Sequence, residues 1–97
     1  MRPTLLVHVT YHCRPGRARA FVQQIVEQGL RDKILAEDGC LRYDYYLSCE
    51  DEDTVLLVEK WQTAEQQAVH MTQPHMKALL AIRDSEVLSS AIEKYSV

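Results

Sequence analysis

Cysteine, glycine and proline each occur only three times in 97 residues, and phenylalanine and tryptophan once apiece. So little glycine and proline excludes a collagen-like or low-complexity chain. The thiols Cys13, Cys40 and Cys49 are odd in number and widely spaced, which fits neither a disulfide framework nor a paired-thiolate zinc site. They read as reduced and structural. Cys40 sits among apolar residues, and Cys49 adjoins Glu50-Asp51-Glu52-Asp53, where negative charge raises a thiol pKa and weakens nucleophilicity. Positive charge is also scarce: a formal net charge of −3 offers no broad cationic field to nucleic acid or to an anionic bilayer. No apolar run approaches the roughly 20 residues that span a membrane. The opening Met1-Arg2-Pro3-Thr4 leads only into a short run broken by His8. A cytoplasmic protein with no nucleic-acid or membrane partner is expected, folded as a single domain over residues 1–97.

What is present is ordinary globular material, 46% hydrophobic and 26% charged, arranged in two periods. Leu5 to His12 is a β-branched and apolar run ending at Arg14-Pro15-Gly16, the pattern of a strand and a turn. From Arg17 to Leu35 the apolar residues Phe21, Val22, Ile25, Val26, Leu30 and Ile34 recur at helical steps, predicting one helix that Glu37-Asp38-Gly39 ends. Cys40 to Leu47 alternates Leu41, Tyr43, Tyr45 and Leu47 against Arg42, Asp44 and Tyr46, which is a strand. Thr54 to Trp61 is another, after an acidic hairpin loop. Thr63 with Gln66 has capping-box spacing and predicts a helix carrying Ala64, Ala68 and Met71. Pro74 interrupts it and should open a second piece with Met76, Leu79, Leu80 and Ile82. Val87 to Tyr95 returns as the last strand.

The order strand, helix, strand, strand, helix, strand is the split β-α-β unit of an α+β, ferredoxin-like βαββαβ fold. Four antiparallel strands would carry the helices on one face. Leu6 lies opposite Leu5 and Val7, and Leu56 and Val58 lie opposite Val55 and Leu57, so both faces of the sheet read as apolar. Pairing two such faces would bury on the order of 2,000 Å², and a homodimer is expected.

Three ordered stretches resemble one family: Glu37-Asp38-Gly39-Cys40-Leu41-Arg42-Tyr43, then Leu57-Val58-Glu59-Lys60-Trp61, then His70-Met71-Thr72-Gln73-Pro74-His75-Met76, with Arg14-Pro15-Gly16 ahead of them. From Leu5 to about Leu80 the chain is similar to the antibiotic biosynthesis monooxygenases. The resemblance implies a dimeric α+β barrel with a small pocket between the sheet and helices of each subunit. It also implies oxidation of a phenolic, quinol or polyketide-like aromatic substrate by molecular oxygen, with no metal, flavin or haem cofactor. Relatives include haem-degrading enzymes and a protein that processes a phosphorylated signalling molecule, so the fold alone does not fix the chemistry. The haem-degrading branch uses an asparagine on its first strand and a histidine in its last helix, near which this chain has Val9 and Leu80.

The candidate catalytic residues are His70 and Glu59, and the candidate substrate-binding residues are Trp61, Tyr43, Tyr45, His75 and Leu57. His70 and His75 are five apart across Pro74, not the spacing that aims two imidazoles at one zinc ion, so no metal is expected. One imidazole titrating near neutrality can take a phenolic proton. Alternatively, His70 covers the sheet edge and His75 stabilises the start of the second helical piece. Glu59, a carboxylate among apolar neighbours, needs a partner or a raised pKa; it serves as a base or anchors a nearby arginine. Trp61 and Leu57 share its strand face, as a pocket wall or as core. The Tyr43 and Tyr45 hydroxyls bind a substrate oxygen or bond locally. Two further functions fit these residues: an isomerase or processing enzyme for a small oxygenated signalling metabolite, and a non-catalytic dimeric small-molecule-binding module.

Overall fold

The computed structural model describes residues 3–97; Met1 and Arg2, part of the opening segment considered above, lie outside them. Strand β1 runs Leu5–Cys13, β2 Cys40–Leu47, β3 Thr54–Trp61 and β4 Val87–Ser96. The strands form one sheet in the order β2-β3-β1-β4, and every neighbouring pair is antiparallel. Four helical segments complete the chain: α1 Ala18–Glu27, α2 Leu30–Leu35, α3 Ala64–His70 and α4 Met76–Glu86. This is the ferredoxin-like α+β arrangement expected from the order of periods.

Cross-strand register sorts the face beneath the helices into rows: Tyr43, Glu59, Val7 and Lys94; Tyr45, Leu57, Val9 and Ile92; Leu47, Val55, Tyr11 and Ser90. Phe21 of α1 meets the Tyr11 ring edge-on at 4.9 Å, and His70 of α3 lies 4.7 Å from Trp61. Helices from both halves therefore cover the same face, and Phe21, Ile25, Ile34, Val55 and Trp61 are fully buried between the layers.

The single helix expected over 17–35 is two. Gly29, at φ 71 between α1 and α2, adopts the left-handed conformation that glycine tolerates best. Val26 is consequently half exposed rather than part of the buried stripe. At Leu41 the register of β2 against β3 shifts, and this bulge turns a side chain predicted to share the tyrosine face out to solvent. Thr63 caps α3 as expected, its Oγ1 accepting from the Gln66 amide at 3.1 Å. The Gln66 side chain, however, donates to Asp38 Oδ2. Helix α3 buries Gln67 and His70 in place of Ala68 and Met71. Pro74 sits in the turn before α4, whose first residue is Met76.

Gly39, at φ 84, ends the connection into β2, and a Cβ there would collide with the Gln66 side chain. Gly39→Ala is expected to destabilise the protein by about 1–3 kcal/mol, measured by urea unfolding. An unchanged midpoint would show that Gln66 swings away freely.

The second face of the sheet is less uniformly apolar than its sequence suggests. Parity places His8, Thr10, His12 and Lys60 there with Leu6, Leu56 and Val58, leaving an apolar centre inside a polar frame.

Candidate functional site

Between the sheet and α3 and α4 lies a cavity of about 380 Å³, within the range that small organic ligands occupy. Val7, Val9, Met76, Leu79, Leu80 and Ile92 make it apolar, and Tyr11, Tyr43, Glu59, Gln67 and His70 supply its buried polar groups. Sheet register explains the clustering, since Glu59 is directly paired with both Val7 and Tyr43. Helix α3 then lowers His70 onto the same row from above.

His70 is 1% exposed, and its Nδ1 lies 2.9 Å from Glu37 Oε2. An ionised carboxylate only accepts hydrogen bonds, so Nδ1 carries the hydrogen in the neutral ring, and the lone pair falls on Nε2. That Nε2 is 3.9 Å from Glu59 Oε1. Trp61 Nε1–H donates to Glu59 Oε1 at 3.0 Å. Among the described residues, Glu59 Oε2 receives no hydrogen bond from the protein. His75 Nε2 meets the same Glu37 oxygen at 2.8 Å. Hydrogen bonds therefore run from the part-buried His75 through Glu37 to the buried His70, whose Nε2 approaches Glu59 at the cavity floor without bonding to it.

Burial, with a smaller upward push from the Glu37 charge, raises the Glu59 carboxyl above its ordinary value of 4.5, against the Trp61 hydrogen bond, the Lys94 charge and, whenever its ring is protonated, His70. A carboxyl whose pKa is raised by folding binds more protons folded than unfolded between the two values. Its contribution therefore weakens stability as pH rises through that window. Glu59→Gln, which keeps the acceptor for Trp61, is expected to flatten this loss above pH 4.5. Thermal unfolding from acid to neutral pH measures it, and parallel pH profiles for the two proteins would contradict the assignment. Burial likewise raises the phenols of Tyr11 and Tyr43, with further upward influence from Glu59, so both hydroxyls stay protonated and act as donors.

Of the seven sequence candidates, the structure brings His70, Glu59 and Tyr43 to the cavity. Trp61 and Leu57 are buried core behind it, with Trp61 acting on the site through its bond to Glu59. That indole, not an arginine, is the Glu59 partner. His75 reaches the site only through Glu37. Tyr45 stacks edge-on against Tyr43 and Phe21, and its hydroxyl is buried with no hydrogen-bond partner. Tyr11, Arg83 and Lys94 line the cavity without having been singled out. Tyr11 was accessible by parity, since it shares a strand face with Val7 and Val9, but no spacing connects Glu37 to a histidine 33 residues away. Among the described residues, no group of three or more His, Cys, Asp or Glu side chains is arranged to hold a metal ion.

The antiparallel sheet, its helical cover and the cavity between them define a ferredoxin-like α+β domain with room for a small organic molecule. The chain belongs to the antibiotic biosynthesis monooxygenase family, whose model matches residues 4–81. Among solved structures, the Pseudomonas aeruginosa protein PA3566 is similar at 22% identity and TM-score 0.86, covering 100% of this chain and 96% of that one. A candidate antibiotic biosynthesis monooxygenase from Nitrosomonas europaea aligns at 16% identity and TM-score 0.88, over 100% and 92% of the two chains. A Bacteroides thetaiotaomicron protein of unknown function, suggested to be an oxidoreductase, aligns at 23% identity and TM-score 0.86 over the full length of both. No curated protein sequence matches. Among the described residues, no helix is long and apolar enough to cross a membrane.

Proposed function

We propose that this protein is a cofactor-independent monooxygenase acting on a small phenolic or quinol-like substrate, and that it works as a homodimer. The observation that carries the reading is the Glu37–His70 pair, which turns an imidazole lone pair toward a carboxyl at the floor of an apolar cavity. His70 Nε2 takes the phenolic proton, and the phenol donors of Tyr11 and Tyr43 hold the resulting anion. The electron-rich anion passes an electron to molecular oxygen, and the pair recombines on the ring. One oxygen atom stays as a carbonyl, while the other leaves as water with the hydroxyl hydrogen and the displaced ring hydrogen. Exclusion of bulk water by the apolar walls protects the intermediates.

Purified, metal-free protein incubated with a panel of hydroquinones should consume oxygen faster than the autoxidation blank. No rate above blank across the panel would reject the reading. The proton chain also suits an isomerase, for which turnover would persist under nitrogen; the monooxygenase stops there. The partly exposed apolar centre formed by Leu6 and Leu56 supports the dimer, and light scattering at micromolar concentration should give twice the chain mass.

A further inference from the structure

The charged side chains lining the cavity are Glu59, Arg83 and Lys94: two cations against one carboxyl, on a chain whose formal charge is −3. Neither cation is neutralised nearby. Lys94 forms no ion pair among the described residues. Arg83 pairs only with its sequence neighbour Asp84, at 3.3 Å, and Asp84 is 73% exposed, so water screens most of that attraction. Glu59 makes no ion pair with either cation, and the whole width of strand β1 at Val7 separates it from Lys94.

The two cations stand on different walls. Arg83 is one helical turn past Leu79 and Leu80 on α4. Lys94 is on β4, in the cross-strand row that leads through Val7 to Glu59. Ser90 and Ile92, also on β4, line the same side and are exposed, so this strand forms the open edge of the cavity. A neutral phenol bound at the floor would offer these two cations at the open edge no counter-charge. A ligand with a negative end satisfies them, with the guanidinium giving a planar fork and the ammonium a flexible point charge.

We infer that the cavity selects acidic phenols, taking the aromatic hydroxyl at Glu59 and His70 and a carboxylate on the same molecule at Arg83 and Lys94. This rests on the reading of the floor as the phenol end. The test is calorimetric titration of the intact protein with para-hydroxybenzoate and with its neutral isostere, para-hydroxybenzamide. The acid should bind at least about tenfold more tightly, with an advantage that shrinks as salt is raised. In the Arg83→Gln, Lys94→Gln double variant, checked for folding by circular dichroism, the ratio should fall towards unity. The proposal is overturned if the acid fails to bind, if the amide binds equally well, or if the preference survives in the double variant. Because the readout is binding, its failure is distinct from that of the oxygenase reading. Acid preference without oxygen uptake rejects the chemistry alone, and oxygen uptake without acid preference rejects the anion subsite alone.

Discussion

His70→Ala is expected to lower kcat for hydroquinone-dependent oxygen uptake by about 10²–10⁴-fold, the usual contribution of a positioned general base. The geometry makes the expectation specific. Glu37 fixes Nδ1 at 2.9 Å, so the substitution removes the one imidazole lone pair facing the cavity floor. It also removes a partner of Glu37, while His75 continues to hold that carboxylate at 2.8 Å. Loss of rate should therefore exceed loss of fold, which thermal unfolding can verify in parallel. Glu37→Gln is the companion variant. Its amide can still accept from one imidazole but no longer favours the imidazolium, so kcat should drop with little change in KM. A folded His70→Ala protein with unchanged kcat would show that the base lies elsewhere.

The largest effect on stability is expected for Phe21→Ala, which should lower the unfolding free energy by about 3–5 kcal/mol. Phe21 is 0% exposed and packs edge-on against both Tyr11 and Tyr45. Removing its ring deletes apolar burial and leaves a cavity between α1 and the sheet that neighbours fill only in part. Tyr11 forms a cavity wall on the same strand face, so KM for the hydroquinone should rise as well. Urea denaturation with an unchanged m-value would give the loss directly, and a loss below about 1 kcal/mol would mean the layers collapse onto the gap.

The fold was largely written in period. Alternation at two placed β2, apolar runs placed β1 and β3, the closing stretch from Val87 to Tyr95 supplied β4, and Thr63 marked the start of α3. Where reading failed, a single residue overrode the pattern. Gly29 split a stripe that looked continuous, and one extra residue at Leu41 reversed the facing of a side chain. The site was legible only within elements. Glu59 stood out as a charge in an apolar strand, and His70 stood out in a short helix. Glu37 did not, because it reads as a helix terminator and joins His70 only when two chain segments fold together. Trp61 read as core or as a flat wall for a ligand; its ring is core, and its indole hydrogen steers a carboxylate.

Strand β4 borders the sheet with no helix above it, and its side chains from Leu88 onward are exposed. Substitutions at Ser90, Ile92 or Lys94 therefore disturb little interior packing while altering what the chamber admits. Natural drift or laboratory evolution can reshape this one ribbon and leave the Glu59–His70 floor and the protein's foldability intact.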